Sequence, residues 1–402
     1  MEHEILSFNR RRAGVPKRMQ MTFLIILLLL TTSSLLAQEG QPICGADQPG
    51  LYLPLLKDRH IGLVVNQTSV ANGQNLVDFL NSHGVVIKAL FTPEHGLRGE
   101  ADAGEKVNNS VDTKTGIPIV SIYGKNTQPT SEQLADIDIV IYDIQDVGCR
   151  FYTYISTLHY VMEACALNRK SLLILDRPNP NGDYCDGPIL KPEFRSFVGV
   201  DPIPVVHGCT VGEMAQMING EGWLTNGAKC DLKVVPVKGY THQTRYSPPV
   251  KPSPNLPNYL AIRLYPSLCF FESTSVSIGR GTLFPFQVIG YPDEKFGSFS
   301  FIPQSIKGFE MNPMQKDKKC FGTDLRNLEE IPQFTIKYFL DWYQKFNNAS
   351  EFLTNERWFN KLMGNDLVLS LIKSGKNEQE IRQSWQQELE KYKTMRLKYL
   401  LY

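Results

Sequence analysis

One short segment of the chain combines an acid and an imidazole at a place suited to proton transfer. Residues 91–99 read Phe-Thr-Pro-Glu-His-Gly-Leu-Arg-Gly, and the run before them, residues 85–91, is apolar and β-branched. This pattern predicts a buried strand that ends at Pro93, because proline cannot donate to a sheet ladder. Glu94 and His95 then follow the carboxyl end of a strand, where open parallel sheets bind ligands. We predict that they act as general acid/base groups; the alternative is a surface loop whose glutamate only caps a helix.

The elements that position this segment alternate between two kinds of apolar pattern. Strand-like runs separated by helix-like segments are typical of βαβ units, and they predict an α/β fold with a largely parallel sheet. A capping-type Ser131 is predicted to begin one of the helices. The predicted strands are residues 61–66, 85–91, 118–123, 137–142, 172–175, 202–206 and 232–237, and the helices between them include residues 75–80, 152–167 and 211–218.

Polar side chains follow most of these predicted strands. Because the carboxyl ends of parallel strands meet at one edge of a sheet, we expect these side chains to form a common site. The candidates, in chain order, are Asn66 and Gln67, then Glu94 and His95, then Asp143, Gln145, Asp146 and Arg150, then Asp176, Arg177 and Asn179, and finally His207.

The chemistry of this set favours a saccharide. Carboxylates and amides hydrogen-bond sugar hydroxyls, and arginines such as Arg150, Arg177 and Arg280 pair with carboxylates. Glycoside hydrolysis typically uses two carboxylates. Glu94 is then the acid, and Asp143 or Asp146 is the second group.

Each candidate also has a structural alternative. The loop of residues 143–150 can be a helix N-terminal turn with stabilising acids. Residues 176–180 and 279–281 can be simple turns, and His207 can be a hydrogen-bonded core histidine.

Composition and missing motifs narrow the class of protein. The net charge of +1 over 402 residues leaves no electrostatic signature of nucleic-acid binding. No dinucleotide-binding glycine motif, P-loop or Gly-x-Ser-x-Gly elbow occurs, and no Cys-x-x-Cys pair suggests a zinc ribbon. A metal cluster built from acids and histidines is possible, but its spacing is not diagnostic: Asp143, Asp146, Asp176, His95 and His207. We expect no metal and no cofactor.

The N-terminus has the pattern of an export signal. Lys17 and Arg18 precede an apolar run at residues 23–30, and the small residue Ala37 follows. This pattern predicts a secretory signal peptide at residues 1–37, with no stable membrane span after cleavage. We therefore expect an exported, periplasmic or secreted protein.

At these residues the chain resembles a known family, the NamZ-type exo-β-N-acetylmuramidases. The motifs that carry the resemblance cover nearly all of residues 50–402. They are Thr-Pro-Glu-His-Gly at 92–96, Asp-Ile-Gln-Asp-Val-Gly-Cys-Arg-Phe-Tyr at 143–152, Asp-Arg-Pro-Asn-Pro at 176–180, Ser-Ile-Gly-Arg-Gly-Thr at 277–282, and Arg-Leu-Lys-Tyr-Leu-Leu-Tyr at 396–402, with Gly364 and Trp385 before the last.

The resemblance implies a Rossmann-like catalytic domain, assigned here to residues 50–260, and a smaller C-terminal auxiliary α+β domain at residues 261–402. It implies release of N-acetylmuramic acid from the non-reducing ends of peptidoglycan fragments, with Glu94 as the key glutamate. The second motif adds Tyr152 to the candidate substrate-binding residues. Expected partners are peptidoglycan-derived saccharides or muropeptides. A non-catalytic binding protein for wall sugars and a metal-dependent hydrolase are the competing hypotheses.

Overall fold

A seven-stranded sheet in the computed structural model carries the segments on which the candidate residues lie. The structure describes residues 40–94, 96–97, 110–346 and 348–402, so the predicted signal peptide and His95 fall outside the described residues. In chain order the strands of this part are β1 (His60–Val65), the hairpin strands β2 (Val70–Ala71) and β3 (Gln74–Asn75), β4 (Val86–Thr92), β5 (Ser110–Val111), β6 (Pro118–Ser121), β7 (Ile139–Asp143), β8 (Ser171–Leu175) and β9 (Asp231–Val235).

The strand order confirms the Rossmann-like prediction. Along the sheet it is β5-β6-β4-β1-β7-β8-β9, and every pairing is parallel except that of β5 with β6. The chain builds outward from β1 to β6 and then returns to the other side of β1 with β7. This reversal creates a crevice beyond the carboxyl ends of β1 and its neighbours, which is where ligands bind in such folds.

Helices connect the strands and cover the sheet. They are α1 (Pro49–Leu56), α2 (Leu76–Ser82), α3 (Ser131–Leu134), α4 (Tyr154–Leu167) and α5 (Val211–Glu221). The prediction that Ser131 caps α3 is wrong, because Thr130 is the N-cap residue. The Thr130 hydroxyl accepts from the backbone N–H of Gln133, and the Gln133 side-chain oxygen accepts from the backbone N–H of Thr130.

The predicted strand at residues 202–206 is also wrong. Pro202 and Pro204 lack the N–H groups that a ladder needs, and only isolated bridges form, from Val206 to Cys149 and to Asp186. His207 therefore follows an irregular segment rather than a strand.

The C-terminal part combines a small antiparallel sheet with several helices, as predicted for an α+β region. Its strands β10 (Val288–Tyr291), β11 (Phe299–Phe301) and β12 (Cys320–Asp324) lie in the order β10-β12-β11. Its helices are α6 (Tyr259–Leu268), α7 (Lys337–Lys345), α8 (Ala349–Phe352), α9 (Glu356–Met363), α10 (Leu367–Lys373), α11 (Glu378–Gln383) and α12 (Gln386–Arg396).

The last helical stretch of the chain is divided between α11 and α12. Trp385 lies at the break, fully buried, with its indole N–H 3.3 Å from Asp186 Oδ1. Ile381, Trp385 and Leu389 are spaced four residues apart and are all buried, so one face of this stretch packs against the core.

The main hydrophobic cluster contains residues from both parts of the chain. It joins Tyr142 and Leu158 of the large sheet and its helix to Phe270, Phe339 and Trp385 of the C-terminal part. Residues 42–402 pack as one unit, and the domain boundary at residue 260 stays a prediction. Among the described residues, no helix has the length and apolar character needed to span a membrane.

Candidate active site

Glu94 lies just beyond the carboxyl end of β4 and receives two hydroxyl hydrogen bonds. The Tyr123 hydroxyl donates to Oε1 at 3.0 Å, and the Thr153 hydroxyl donates to Oε2 at 3.3 Å. Burial and the neighbouring Glu94 carboxylate raise the pKa of Tyr123, so this phenol stays protonated and remains a donor. Thr153 is also the N-cap residue of α4. The N-terminal end of α4 therefore lies beside the Glu94 carboxylate.

Two tyrosines lie close enough to Glu94 for its charge to affect their pKa values. The rings of Tyr152 and Tyr154 meet edge to face with centroids 4.8 Å apart. Burial, followed by the Glu94 charge, raises the pKa of Tyr154, while the side chains of Asn66 and Gln67 have the opposite effect. Residues from the ends of β1 and β4 and from the start of α4 thus converge at the crevice predicted by the strand order.

The Tyr154 side chain is the centre of a polar cluster. The side chains of Asn66, Gln67 and Tyr152 form hydrogen bonds that affect the pKa of Tyr154. The Glu94 charge contributes to the raised pKa of both tyrosines. This polar cluster therefore lies within reach of the Glu94 carboxylate.

Asp146 is a second acid whose charge acts on Tyr152. Its Oδ2 accepts from the backbone N–H of Gly148 at 2.6 Å and lies 3.3 Å from His207 Nε2, while Oδ1 has no partner in the described part of the chain. His207 Nδ1 accepts from the backbone N–H of Cys209 at 3.2 Å, so the ring proton lies on Nε2. The charges of both Asp146 and Glu94 contribute to the raised pKa of Tyr152, whose largest cause is burial.

Asp143 forms a buried ion pair with Arg177. Its two oxygens accept from Arg177 Nε at 2.6 Å and from a terminal guanidinium nitrogen at 2.8 Å, and Asp143 is fully buried. The same arginine donates to the carbonyl oxygen of Val70 at 2.9 Å. Although burial alone would lower it, the Asp143 charge holds the pKa of Arg177 above its usual value. This pair joins the ends of β7 and β8 to the β2–β3 hairpin.

Arg150 is fully buried and binds backbone carbonyls. It donates to the carbonyls of Pro188 and Ile203 at 2.8 Å each and to Leu362 at 2.9 Å. Leu362 lies in the last turn of α9, where a cation is favoured by the helix dipole. Burial lowers the pKa of Arg150 to about 10, which leaves it charged at neutral pH. Arg150 therefore connects the two parts of the chain.

Replacing Arg150 with methionine should destabilise the protein by roughly 3 kcal/mol or more, because three buried carbonyls lose their donors. Urea unfolding of the variant and of wild type measures the difference. An Arg357→Met variant, which removes an exposed arginine of the neighbouring α9, is the control and should unfold like wild type. Equal stability of Arg150→Met and wild type would contradict the connecting role.

The Asp176 side chain accepts four hydrogen bonds, one of them from the C-terminal residue, Tyr402. Its Oδ1 accepts from the N–H groups of Arg177 at 3.0 Å and Gly212 at 2.8 Å, and its Oδ2 accepts from the hydroxyls of Thr210 and Tyr402 at 2.7 Å each. The carboxyl is fully buried. Burial raises its pKa to about 6, against the lowering effect of these hydrogen bonds.

This raised pKa predicts a pH dependence of stability. The folded state binds the proton more tightly than the unfolded chain, so the contribution of Asp176 to stability is largest below pH 4 and is lost as the pH rises to about 6. A shift of this size corresponds to about 3 kcal/mol. Asn fits the same site, because the two hydroxyls can rotate to accept from its amide. We expect Asp176→Asn to remove this slope, so that urea unfolding between pH 4 and pH 7 separates the two proteins progressively; parallel curves would contradict the assignment.

The remaining predicted amides near these strand ends also hold the fold. Gln145 donates to the carbonyls of Asp146 and Pro178 at 2.8 Å each, and Asn179 donates to the carbonyl of Cys209 at 2.9 Å. A Cβ added at Gly148, whose φ is +77°, would lie 2.2 Å from Asn179 Oδ1. The chain therefore needs glycine at this position.

Arg280 is the predicted arginine whose side chain is partly exposed, at 21%. It pairs with Glu272, lies 3.7 Å from Glu310, and sits 5.2 Å over the ring of Phe286. Although burial would lower it, Glu272 raises the pKa of Arg280.

Sequence reasoning missed Tyr123, Thr153 and Tyr154 as neighbours of the acid. Tyr123 is the last residue of the predicted strand 118–123. The prediction considered only polar residues that follow a strand, so it left Tyr123 out. The predicted helix 152–167 includes Thr153, whereas the helix begins at Tyr154 with Thr153 as its N-cap residue, a position that threonine commonly takes. His95 cannot be placed, because it lies outside the described residues. In the described part of the chain, no group of three or more His, Cys, Asp or Glu side chains could hold a metal.

Comparisons with known proteins agree with this fold. The chain matches the family models described as exo-beta-N-acetylmuramidase NamZ, N-terminal at residues 61–260 and C-terminal at residues 263–402. It is 37% identical over 372 residues to the peptidoglycan beta-N-acetylmuramidase NamZ of Bacillus subtilis strain 168, covering 87% of this chain and 89% of the relative.

Two crystal structures of DUF1343 family proteins from Bacteroides fragilis are similar to this chain. One superposes with a TM-score of 0.83 at 44% identity and the other with a TM-score of 0.76 at 26% identity. In both cases the match covers 90% of this chain and 99% of the other. The chain therefore belongs to the exo-β-N-acetylmuramidase NamZ family of glycoside hydrolases.

Proposed function

We propose that this protein releases N-acetylmuramic acid from the non-reducing ends of peptidoglycan fragments, with Glu94 as the general acid/base. One observation carries the assignment: Glu94 lies at the ligand-binding crevice of the sheet, held by Tyr123 at 3.0 Å and Thr153 at 3.3 Å. The similarity to the Bacillus subtilis peptidoglycan beta-N-acetylmuramidase supports the substrate class.

The hydrogen bonds of Glu94 suit an acid that becomes a carboxylate during the reaction. Protonated Glu94 gives its proton to the oxygen of the departing sugar as the glycosidic bond breaks. The Tyr123 and Thr153 hydroxyls then stabilise the carboxylate that remains, and they are already in place before the charge develops. The same carboxylate can next take a proton from the incoming water.

Asp146 is the better candidate for the second group than Asp143. Both Asp143 oxygens accept from Arg177, whereas Asp146 Oδ1 lacks a partner among the described residues. We therefore assign Asp146 to the developing positive charge on the sugar. An Asp146→Asn variant that keeps full activity would remove Asp146 from the mechanism and favour the acetamido group of the substrate as an internal nucleophile.

Among the three predicted arginines, Arg280 is assigned to the lactyl carboxylate of N-acetylmuramic acid. Arg150 and Arg177 are buried and bound to carbonyls and to Asp143. Arg280 is partly exposed, and the carboxylate that it pairs with, that of Glu272, is partly exposed as well.

We also infer export from residues 1–37, because the substrate lies outside the cytoplasmic membrane. Cell fractionation with an antibody against the protein tests this inference. Recovery of all the protein in the cytoplasm would contradict it.

The test of the activity is product analysis on defined peptidoglycan fragments. We expect free N-acetylmuramic acid to accumulate from the first minutes when that sugar is at the non-reducing end. The same fragments ending in N-acetylglucosamine should stay intact. Internal cleavage of both kinds of fragment would contradict the exo-acting proposal.

A further inference from the structure

Three aromatic rings form a row that begins at Glu94, in which each ring contacts the next. The Tyr123 ring, whose hydroxyl binds Glu94, meets Phe197 at a centroid distance of 5.8 Å and an angle of 66°. Phe197 lies nearly parallel to Tyr160, at 6.1 Å and 6°. All three side chains are half-buried. We call Tyr123, Phe197 and Tyr160 the aromatic ledge.

Two separate elements of the fold present this ledge. Tyr160 lies on α4, the helix that begins beside Glu94. Phe197 lies in the tight turn of residues 196–199, which is closed by hydrogen bonds of 2.9 Å and 3.0 Å between Ser196 and Gly199. The Phe197 and Tyr160 rings are parallel and half-buried, so each keeps part of its apolar surface accessible. Partly exposed aromatic rings grouped in this way are typical of binding surfaces.

A cationic cleft follows the ledge. Arg195 is close enough to Tyr160 to oppose the burial that raises the pKa of this tyrosine. With Arg357, Lys361 and Glu193 it lines a cleft of about 440 Å³. Within the described ranges, Arg195, Arg357 and Lys361 form no ion pair. Three cations beside one acid favour an anionic ligand, and arginine pairs best with a carboxylate.

We propose that the aromatic ledge binds the saccharide on the leaving side of the bond cleaved at Glu94, and that the cationic cleft binds a carboxylate of its acidic peptide stem. This inference rests on the proposed function and names the substrate class more closely: a glycan with at least one further sugar and a peptide, rather than a muramic-acid monosaccharide glycoside. Pyranose rings place their C–H faces on the aromatic rings, and binding energy from these remote groups promotes cleavage at Glu94.

Three substrates test the proposal on the full chain. They are a chromogenic muramic-acid glycoside, a peptide-free oligosaccharide ending in N-acetylmuramic acid, and the same oligosaccharide with peptide stems. For Phe197→Ala we expect kcat/KM on the peptide-free oligosaccharide to fall at least tenfold more than on the chromogenic glycoside. For Arg195→Gln we expect a loss confined to the peptide-bearing substrate, and the preference of wild type for that substrate should weaken with salt. Leu167→Ala, at an exposed position at the end of α4, is the control.

Equal losses on all substrates in Phe197→Ala would show a purely structural role and overturn the ledge, as would no loss at all. Calorimetric titration of Glu94→Gln with the peptide-free oligosaccharide provides a readout without turnover, since adding Phe197→Ala should weaken binding at least tenfold. Unchanged affinity would overturn the ledge even if wild type is active. Failure of wild type to release muramic acid from any substrate would instead overturn the proposed function.

Discussion

Replacing Glu94 with glutamine should lower release of N-acetylmuramic acid from a glycan by about 100- to 10,000-fold, the usual contribution of a general acid/base. Glutamine has nearly the same shape and still accepts the hydrogen bond from Tyr123, so we expect an unchanged melting temperature. Initial rates on purified oligosaccharides, together with thermal unfolding, measure both quantities.

The leaving group separates the acid role from a binding role. A nitrophenolate departs without a proton, so Glu94→Gln should retain much more activity on a nitrophenyl muramic-acid glycoside than on the glycan. Glu388→Gln, which changes an exposed glutamate of α12, is the matched control and should behave like wild type. Near wild-type rates of Glu94→Gln on both substrates would remove Glu94 from the mechanism.

Replacing Asp143 with alanine should destabilise the protein by about 3–5 kcal/mol, because Arg177 then keeps a buried charge without its partner. Both oxygens of Asp143 are bound by Arg177, at 2.6 Å and 2.8 Å. Urea unfolding measures the change, and activity per folded molecule is measured below the unfolding transition. The double variant Asp143→Ala/Arg177→Met removes both charges and should be less destabilised than Asp143→Ala alone.

A catalytic role for Asp143 makes the opposite prediction. In that case Asp143→Asn would unfold like wild type and lose most of its kcat. Additive losses in the double variant would likewise contradict a coupled pair.

Much of the fold could be predicted from local patterns. Residues 85–91 are apolar apart from Lys88, which indicates a buried strand, and β4 is found at Val86–Thr92. The alternation of strands and helices predicts a parallel sheet because a parallel connection needs a crossover helix. The strand predicted at residues 202–206 does not form. The other residues of this segment are β-branched, but its two prolines lack the N–H groups that a ladder needs.

The candidate site was predicted less completely. The interpretation of the strand ends as one polar edge placed Glu94, Asn66, Gln67 and Asp146 close to one crevice, and the family resemblance added Tyr152. The same interpretation also assigned Arg150, Asp176 and Asn179 to the site. Each of these residues is buried, and its hydrogen bonds stabilise the fold. Carboxylates and guanidinium groups serve both purposes, and their residue type does not distinguish a ligand contact from an internal one.

The sequence by itself determines that this chain is a parallel α/β protein with acids and amides at the strand ends. It can do so because side-chain periodicity and turn chemistry are local properties. The motifs also identify its family. The folded arrangement of distant segments assigns the roles: Arg177 binds Asp143, Tyr402 binds Asp176, and Tyr123 and Thr153 bind Glu94. These partners are up to 226 residues apart in the chain, so their pairing depends on the strand order and on packing between the two parts of the molecule.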